Sequence, residues 1–384
     1  MASVVETAPL ILDVGAVLLV AATSGLAARK VGLPAIVGYL LTGLLVSPFT
    51  PGFVADSQQI AILADIGVVL LLFEVGIEID LGRIKREHGA VLWASPSLVL
   101  LGTLVAIPVF LALDLPLYGA ALLSLSIAMS SSVVIVNITR SRRRTTSAAT
   151  EDALLGWSVL QDVTGVALAA FIIAILGDSG ESPLRSVLGL IGFGIAAFIA
   201  SKLLPYLLRI IRWESDLFLI YSVAIGLSIA ALGTVVFGIP MALASFVAGL
   251  AINQSRDTDQ VRKAVLPFRD LFQVLFFVVI GSLVEPALIQ EALPFAGVIL
   301  GVMIAIKTLP AFLVARFNQI GDSAAQVAVG LSQVGEFSFV LGSAALIAGA
   351  ITKVQFTGVL LAVIVSIIVS TLAVRRASKL SRSI

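Results

Sequence analysis

The chain has 384 residues, of which 59% are hydrophobic and only 12% charged, and its formal net charge at pH 7 is +1. Soluble domains are about 25% charged and about 45–50% apolar, so this composition argues against a soluble enzyme, a nucleic-acid binder and a disordered chain. The sequence contains no cysteine and one histidine, which excludes disulfides, thiolate metal sites and histidine clusters. The composition predicts a protein that crosses a membrane many times.

Apolar segments follow one another along the whole chain, separated by Pro, Gly and charged clusters. A helix needs about 20 apolar residues to cross about 30 Å of hydrocarbon. Thirteen segments are predicted on this criterion, the second and ninth being short. They cover residues 9–28, 33–49, 57–79, 89–113, 116–139, 151–177, 184–208, 215–236, 238–254, 265–285, 293–315, 322–350 and 353–374.

The basic residues predict the orientation of these segments, because Lys and Arg gather in cytoplasmic loops. If the N-terminus lies outside, the loops and tail that become cytoplasmic hold 21 of the 24 basic residues. Arg185 and Lys353 remain outside, and Lys307 lies within a segment. The pattern predicts thirteen crossings, an outer N-terminus and a basic cytoplasmic tail over residues 375–384.

Two segments carry polar interruptions near their middles, at Ser130–Ser132 in the fifth and at Ser332–Glu336 in the twelfth. Thirteen segments also allow six helices, a linker helix and six more helices in inverted orientation, and these two segments then correspond. The predicted repeats cover residues 9–177 and 215–374, with the linker at 184–208. Paired interruptions indicate a transporter binding site, since broken backbone at that depth is tolerated only against protein or water.

Asp162 is an ionisable residue inside the sixth segment, where it costs about 2.5–3.5 kcal/mol on insertion scales. It follows Glu151 by eleven residues, which at 1.5 Å each places it about 16 Å deep, near the midplane. A carboxylate there can bind either a proton or a metal cation. Both use the same oxygen atoms and therefore compete, as exchange requires. The structural alternative is a carboxylate held in a buried hydrogen bond.

Other charges within the segments leave two interpretations each. Lys307 either balances a buried acid or the carbonyl ends of broken helices, or takes part in proton coupling. Glu336 either bonds the frayed backbone of the twelfth segment or shapes the ion path. Glu74 and Glu78 lie one turn apart on one helix face, and they either face protein or a cytoplasmic vestibule, or take part in function.

Several short strings occur in a consistent order and at consistent depths. They are GYLLTG at 38–43, LFEVGIE at 72–78, AMSSS at 128–132, Gln161–Asp162, FFVVIG at 276–281, Lys307 and LSQVGEF at 331–337. With these strings the chain resembles the Kef-type monovalent cation:proton antiporters, the potassium:proton branch of the bacterial and organellar antiporters. The resemblance extends over essentially the whole chain.

The resemblance implies an all-α polytopic fold of thirteen helices with a core domain and a dimerisation domain, assembled as a homodimer and without a cofactor. Segments five and twelve would cross as broken helices beside the family's essential aspartate, which maps onto Asp162. Asp162 would then bind the cation and the proton, with Gln161, Ser131, Ser132 and backbone carbonyls of segment five as further candidate ligands. The expected supporting or coupling residues are Lys307, Glu336, Gln333, Glu78 and Glu74.

Gln161 stands where sodium-selective, charge-moving relatives have an acidic residue. With one carboxylate, one cation displaces one proton, so we expect electroneutral 1:1 exchange by alternating access, with potassium as the favoured cation. Without an acidic partner at position 161, Lys307 is expected to bond Gln161 or the carbonyls of the broken helices.

Sodium:proton exchange by the same fold is the alternative, and a cation channel is a more distant one. An intramembrane enzyme is disfavoured, because the sequence has no HExxH motif, no GxSxG motif and no evident pair of catalytic aspartates.

Kef-type chains usually continue into a cytoplasmic nucleotide-binding domain, whereas this sequence stops ten residues after the last segment. We therefore expect residues 1–384 to form a single transmembrane antiporter domain without that regulatory domain, either as a short member or as part of a longer chain. The expected partners are a monovalent cation, a proton, the lipid bilayer and a second copy, and no nucleic acid. A separate regulatory subunit is left open. The expected location is a bacterial or archaeal cell membrane.

Overall fold

The computed structural model describes residues 7–50, 57–78, 89–140, 145–177, 183–211, 214–253 and 258–380. Within these ranges every regular element is a helix. A 3-10 turn (Pro286–Leu288) precedes α12, and a π-helical segment (Ile304–Thr308) joins α12 to α13. In chain order the α-helices are α1 (Thr7–Val31), α2 (Ala35–Leu45), α3 (Ser57–Glu78), α4 (Gly89–Leu111), α5 (Leu117–Ala128), α6 (Ser132–Arg140), α7 (Ala148–Leu176), α8 (Pro183–Ile211), α9 (Ser215–Phe237), α10 (Met241–Asn253), α11 (Thr258–Ser282), α12 (Ile289–Met303), α13 (Leu309–Phe317), α14 (Ala324–Leu331), α15 (Phe337–Ile347) and α16 (Lys353–Leu380).

The helices divide into two compact units, each made from two stretches of the chain. Unit 1 comprises Met1–Ile79 and Glu181–Pro286, and unit 2 comprises Asp80–Gly180 and Ala287–Ile384. Both predicted interruptions and Asp162 belong to unit 2, whereas Glu74 belongs to unit 1.

In unit 1, α3 packs against α10 and α11, and α2 packs against α1 and α11. Glycines allow this close approach. A Cβ at Gly249 of α10 would collide with the carbonyl oxygen of Phe73 in α3, and one at Gly281 of α11 with that of Leu40 in α2. Small residues at helix contacts are typical of membrane helices, whose backbones associate closely without a hydrophobic driving force. The glycines of the GYLLTG, LFEVGIE and FFVVIG strings therefore serve helix packing within unit 1.

In unit 2, α4 packs against α5 and α7, and α12 packs against α16. Trp157 of α7, whose side chain is fully buried, lies in an apolar core formed by α4, α6, α7, α13 and α14. The hydroxyl group of Ser95 in α4 donates a 2.8 Å hydrogen bond to the carbonyl oxygen of Trp157. These contacts hold α7, the helix that carries Asp162, in place against its neighbours.

The helices lie where the apolar segments were predicted, and the fifth and twelfth segments are interrupted as expected. Nine helical stretches among the described residues are long and apolar enough to cross a membrane, so the predicted count of thirteen crossings stays a prediction. Two boundaries were wrong by six residues or more. The thirteenth segment was predicted to end at residue 374, whereas α16 continues to Leu380 and carries Arg375 and Arg376 inside the helix. The tenth segment was predicted to begin at residue 265, whereas α11 begins at Thr258 and carries Arg262 and Lys263 inside the helix. The charges were interpreted as a loop, but Arg262 makes an ion pair with a buried acid of unit 1.

Candidate functional site

Two breaks in helical structure define the centre of unit 2. Helix α5 ends at Ala128, and α6 begins at Ser132 after Met129 adopts an extended conformation. Helix α14 ends at Leu331 and α15 begins at Phe337. At such ends several backbone N–H and C=O groups have no partner within the helix, and buried groups of this kind need partners elsewhere.

The two breaks bond directly to each other. The side-chain oxygen of Gln333 accepts a 3.0 Å hydrogen bond from the backbone N–H of Ser131, and its side-chain nitrogen donates a 3.1 Å bond to the Ser131 carbonyl. The hydroxyl group of Ser130 donates to the Leu331 carbonyl at 2.6 Å, and the Gly335 N–H donates to the Met129 carbonyl at 3.3 Å. The breaks thus satisfy each other's backbone groups, which stabilises the interrupted chains side by side.

Lys307 supplies two hydrogen bonds at this junction. Its buried ammonium group donates hydrogen bonds to the carbonyl oxygen of Met129 at 2.8 Å and to that of Gln333 at 2.7 Å. These oxygens follow the C-termini of α5 and α14, where the helix dipole places partial negative charge. Lys307 lies in the π-helical segment. This helix form is rare in proteins, and where it occurs it is often at a functional site. Lys307 was expected to bond either Gln161 or the carbonyls of the broken helices, and the structure shows bonds to the carbonyls.

Glu336 lies at the N-terminal end of a broken helix, whereas Lys307 bonds the C-terminal ends. It occupies the N-cap position of α15, is 4% exposed, and accepts a 3.2 Å hydrogen bond from the Ser131 hydroxyl. The same hydroxyl oxygen accepts a 3.2 Å bond from the Val134 N–H and so caps α6. A carboxylate near helix N-termini is favoured by the dipole. Both interpretations of Glu336 stay open, and its observed contact is to the broken backbone region.

Asp162 and Gln161 are buried in α7, with 2% and 1% of their surfaces exposed. Gly165, one helical turn further on, packs so closely against Met129 that a Cβ would collide with the Met129 sulfur atom. Residues three or four apart share a helix face, so Asp162 and Gln161 lie on the face of α7 that packs against the break after α5. Gln161 Nε2 approaches the Ala128 carbonyl at 3.5 Å, while its buried Oε1 has no hydrogen-bond partner among the described residues.

Two main-chain oxygens of the first break are already engaged. Those of Met129 and Ser131 accept hydrogen bonds from Lys307 and Gln333. Ser132 begins α6 and is partly exposed. These two carbonyls, which the sequence left among the candidates, are therefore less available to a further ligand than the buried Gln161 Oε1.

Glu74 forms a separate ion-pair cluster in unit 1. Its buried carboxylate accepts a 2.8 Å bond from Arg262 Nε and a 2.6 Å bond from Arg269 Nη1, joining α3 to α11. Arg269 also pairs with Asp270 at 2.6 Å. The observed contacts favour the interpretation in which Glu74 faces protein. The Glu78 side chain, predicted as its neighbour on the same face, lies outside the described residues.

Sequence reasoning missed residues that act through their backbone or through small size. Met129 contributes a carbonyl oxygen, which no residue-type pattern reveals. Gly165 could have been noticed in the sequence, because a glycine one turn from Asp162 in an apolar helix indicates close helix packing on the same face. Ser366 of α16 accepts a 3.0 Å bond from the Val334 N–H and so satisfies another backbone group of the second break.

The amino-acid sequence matches the family described as "Sodium/hydrogen exchanger, transmembrane" over residues 15–379. The chain belongs to this family. A relative from Escherichia coli (strain K12), named as a candidate cation/proton antiporter, YbaL, is 30% identical, over 93% of this chain and 68% of its own length.

Solved structures of the sodium proton antiporter MjNhaP1 from Methanocaldococcus jannaschii share the fold. The structure at pH 8 gives a TM-score of 0.71 at 20% identity and covers 96% of this chain and 98% of MjNhaP1. An electron-microscopy map of the same antiporter gives 0.62 at 18% identity, covering 96% and 94%.

These comparisons confirm an integral membrane protein of the monovalent cation:proton antiporter class with the fold of MjNhaP1. Its relatives are transporters rather than enzymes. The potassium branch, the inverted repeats, the homodimer and the orientation of the termini stay predictions.

Proposed function

We propose that this protein exchanges potassium for protons, one for one and by alternating access, with Asp162 as the shared binding site. The observation that carries the proposal is the position of Asp162 on the α7 face that packs against the break after α5. Next to it lies Gln161, whose buried Oε1 has no hydrogen-bond partner among the described residues. A carboxylate and an amide oxygen are hard ligands that suit an alkali cation.

The competition between cation and proton follows from the chemistry of one carboxylate. With a cation bound, the Asp162 oxygens are ionised and shielded, and when the cation leaves, a proton neutralises the buried group. Either occupant offsets the negative charge of the carboxylate at this depth, whereas a buried carboxylate with neither bound is less favourable. Transfer of the occupied site from one side to the other is therefore favoured over transfer of the empty one.

Electroneutral exchange is supported by Gln161 and by the two ionisable residues at the breaks. Gln161 carries no charge, and the Lys307 ammonium bonds two carbonyl oxygens of the breaks. Glu336 bonds Ser131 at the N-terminus of α15. In this proposal Asp162 is the only group that changes its proton during the cycle, so one positive charge replaces another.

Unit 2, which contains Asp162 and both breaks, is proposed to be the moving core domain, and unit 1 the dimerisation domain of a homodimer. The N-terminus is proposed to lie outside and the C-terminus in the cytoplasm, in a bacterial or archaeal cell membrane. The distribution of Lys and Arg supports this orientation.

Sodium is the second candidate cation. The family description and the name of MjNhaP1 both refer to sodium, whereas the Gln161–Asp162 pair favours potassium through its resemblance to Kef-type antiporters. Potassium-driven and sodium-driven proton flux, measured on one preparation, separates the two.

The test is transport in proteoliposomes that contain a pH-sensitive dye. We expect Asp162→Asn to abolish cation-driven proton flux. Asp152→Asn, which changes an exposed acid at the start of the same helix, should retain it. Persistent exchange in Asp162→Asn would overturn the site, exchange driven by sodium alone would overturn the choice of potassium, and cation flux without proton movement would indicate a channel.

A further inference from the structure

Gln333 connects three parts of unit 2 at once. Its side chain is fully buried and forms two hydrogen bonds with the backbone of Ser131, one to the N–H and one to the carbonyl. Its own carbonyl oxygen accepts a 2.7 Å bond from Lys307. One residue therefore joins the second break, the first break and the π-helical segment.

We infer that Gln333 is the positioning residue that holds the first break in place beside Asp162, and that it thereby sets the affinity for the transported cation. This inference rests on the proposed function. Gln333 itself does not touch the cation. It acts through Ser131, the residue whose hydroxyl caps α6 and contacts Glu336.

The chemistry of the side chain explains why an amide is needed at this position. Ser131 presents a donor and an acceptor, and only a side chain with one donor and one acceptor in fixed relation satisfies both. A methionine of similar length has no N–H donor and only a weak acceptor. The Ser131 N–H would lose its acceptor, and the Ser131 carbonyl would keep only the Ile135 N–H, which is unfavourable. An asparagine is one methylene shorter and cannot keep both bonds without movement of the backbone.

The Gln333–Ser131 hydrogen bonds are connected to the proposed cation site through neighbouring residues of the first break. Ser131 lies two residues after Met129, which packs on Gly165 in the face of α7 that carries Asp162. Ala128, the last residue of α5, faces the Gln161 amide. If the Gln333 bonds are lost, the break can shift relative to α7, and the α7 face that carries Gln161 and Asp162 loses the packing that positions it. A misplacement of this kind weakens cation binding before it abolishes transport.

Gln326 offers a matched control in α14, the half-helix that leads into the second break. Its side chain is also buried, at 4% exposed, and its amide nitrogen donates to the carbonyl oxygens of Val374 at 3.2 Å and Thr145 at 3.4 Å. It lies seven residues before Gln333, about 10 Å along a helix. Loss of the Gln326 amide therefore removes comparable buried bonds without touching either break.

The experiment compares Gln333→Met with Gln326→Met in proteoliposomes. For Gln333→Met we expect the KM for the cation to rise about tenfold, equivalent to about 1.4 kcal/mol, while kcat changes less than about threefold. For Gln326→Met we expect the KM to stay within about twofold of the unaltered protein. An unchanged KM in Gln333→Met, or an equal rise in both variants, overturns the inference.

A second readout is the rise in thermal unfolding midpoint that added potassium produces in the purified protein. We expect the potassium concentration for half of this rise to increase about tenfold in Gln333→Met and to stay unchanged in Gln326→Met. If Gln333→Met does not fold, Gln333→Asn replaces it, and a KM equal to that of the unaltered protein in Gln333→Asn overturns the inference.

Asp162→Asn is measured in parallel, so that two failures can be told apart. Exchange that persists without the Asp162 carboxylate contradicts the proposed function. Exchange that depends on Asp162 but is indifferent to Gln333 contradicts only the role inferred for Gln333.

Discussion

The ammonium group of Lys307 donates a 2.8 Å hydrogen bond to the carbonyl oxygen of Met129, just beyond the end of one broken helix. It donates a second bond to Gln333 beyond the end of the other. Two helix C-termini that meet would place partial negative charges together at the depth where they are least solvated. Hydrogen bonds from the single Lys307 side chain to both carbonyl oxygens offset this repulsion.

Lys307→Met should therefore destabilise the protein. Two hydrogen bonds from a charged donor are lost and two buried carbonyls lose a partner, for which we expect about 3 kcal/mol or more. Lys307→Arg retains a cation with several donors and should lose less. The measurement is the thermal unfolding midpoint in detergent, with Lys202→Met, at an exposed lysine over the Phe198 ring, as the control. Equal midpoints for the two methionine variants would contradict a stabilising function of Lys307.

Glu74→Gln tests whether this acid is structural or takes part in transport. The variant removes the buried anion shared by Arg262 and Arg269, while Arg269 keeps its pair with Asp270. The cost should therefore lie below the value of about 3–5 kcal/mol for breaking a fully buried pair on one side. We expect a clearly lower unfolding midpoint and an unchanged KM for the cation. Asp270→Asn removes an acid that is 65% exposed and should change neither. A changed KM in Glu74→Gln without loss of stability would restore a coupling function for Glu74.

Gly249→Ala should disrupt unit 1, because the added Cβ would collide with the Phe73 carbonyl oxygen of a backbone that cannot move away cheaply. Overpacking of this kind costs about 1–3 kcal/mol. Gly194→Ala in α8 meets no atom within 4 Å and should be neutral or slightly stabilising, since Ala is the better helix former. The two unfolding midpoints, measured together, decide the prediction, and a tolerated Gly249→Ala would show that the helices can separate.

Gln161→Glu tests the link between the number of carboxylates and the charge moved. A second acid beside Asp162 allows two protons to be exchanged for one cation, so we expect a transport current on solid-supported membranes where the unaltered protein gives none. Gln161→Met, which removes the unpartnered amide oxygen, should raise the KM for the cation without producing a current. A current from the unaltered protein would contradict the single-carboxylate argument.

The positions of the helices were predictable because apolar length and polar interruption are local properties of the chain. The interruptions at Ser130–Ser132 and Ser332–Glu336 are visible as polar residues in apolar segments. The start of α11 was not predictable in this way. Its first turns carry charges that resemble a loop until their partner, Glu74, is found nearly 190 residues earlier in the chain.

By itself the sequence determined a membrane-embedded, helical transporter with a buried acid at Asp162 and two broken segments, because hydrophobic length, charge and helix-breaking composition act over a few turns. Only the tertiary structure decided the partners at those breaks. It showed that Lys307 bonds two carbonyls and that the Gln333 amide bonds the Ser131 backbone. Main-chain oxygens have no identity in a sequence, and contacts between residues some 200 positions apart arise only when the helices pack.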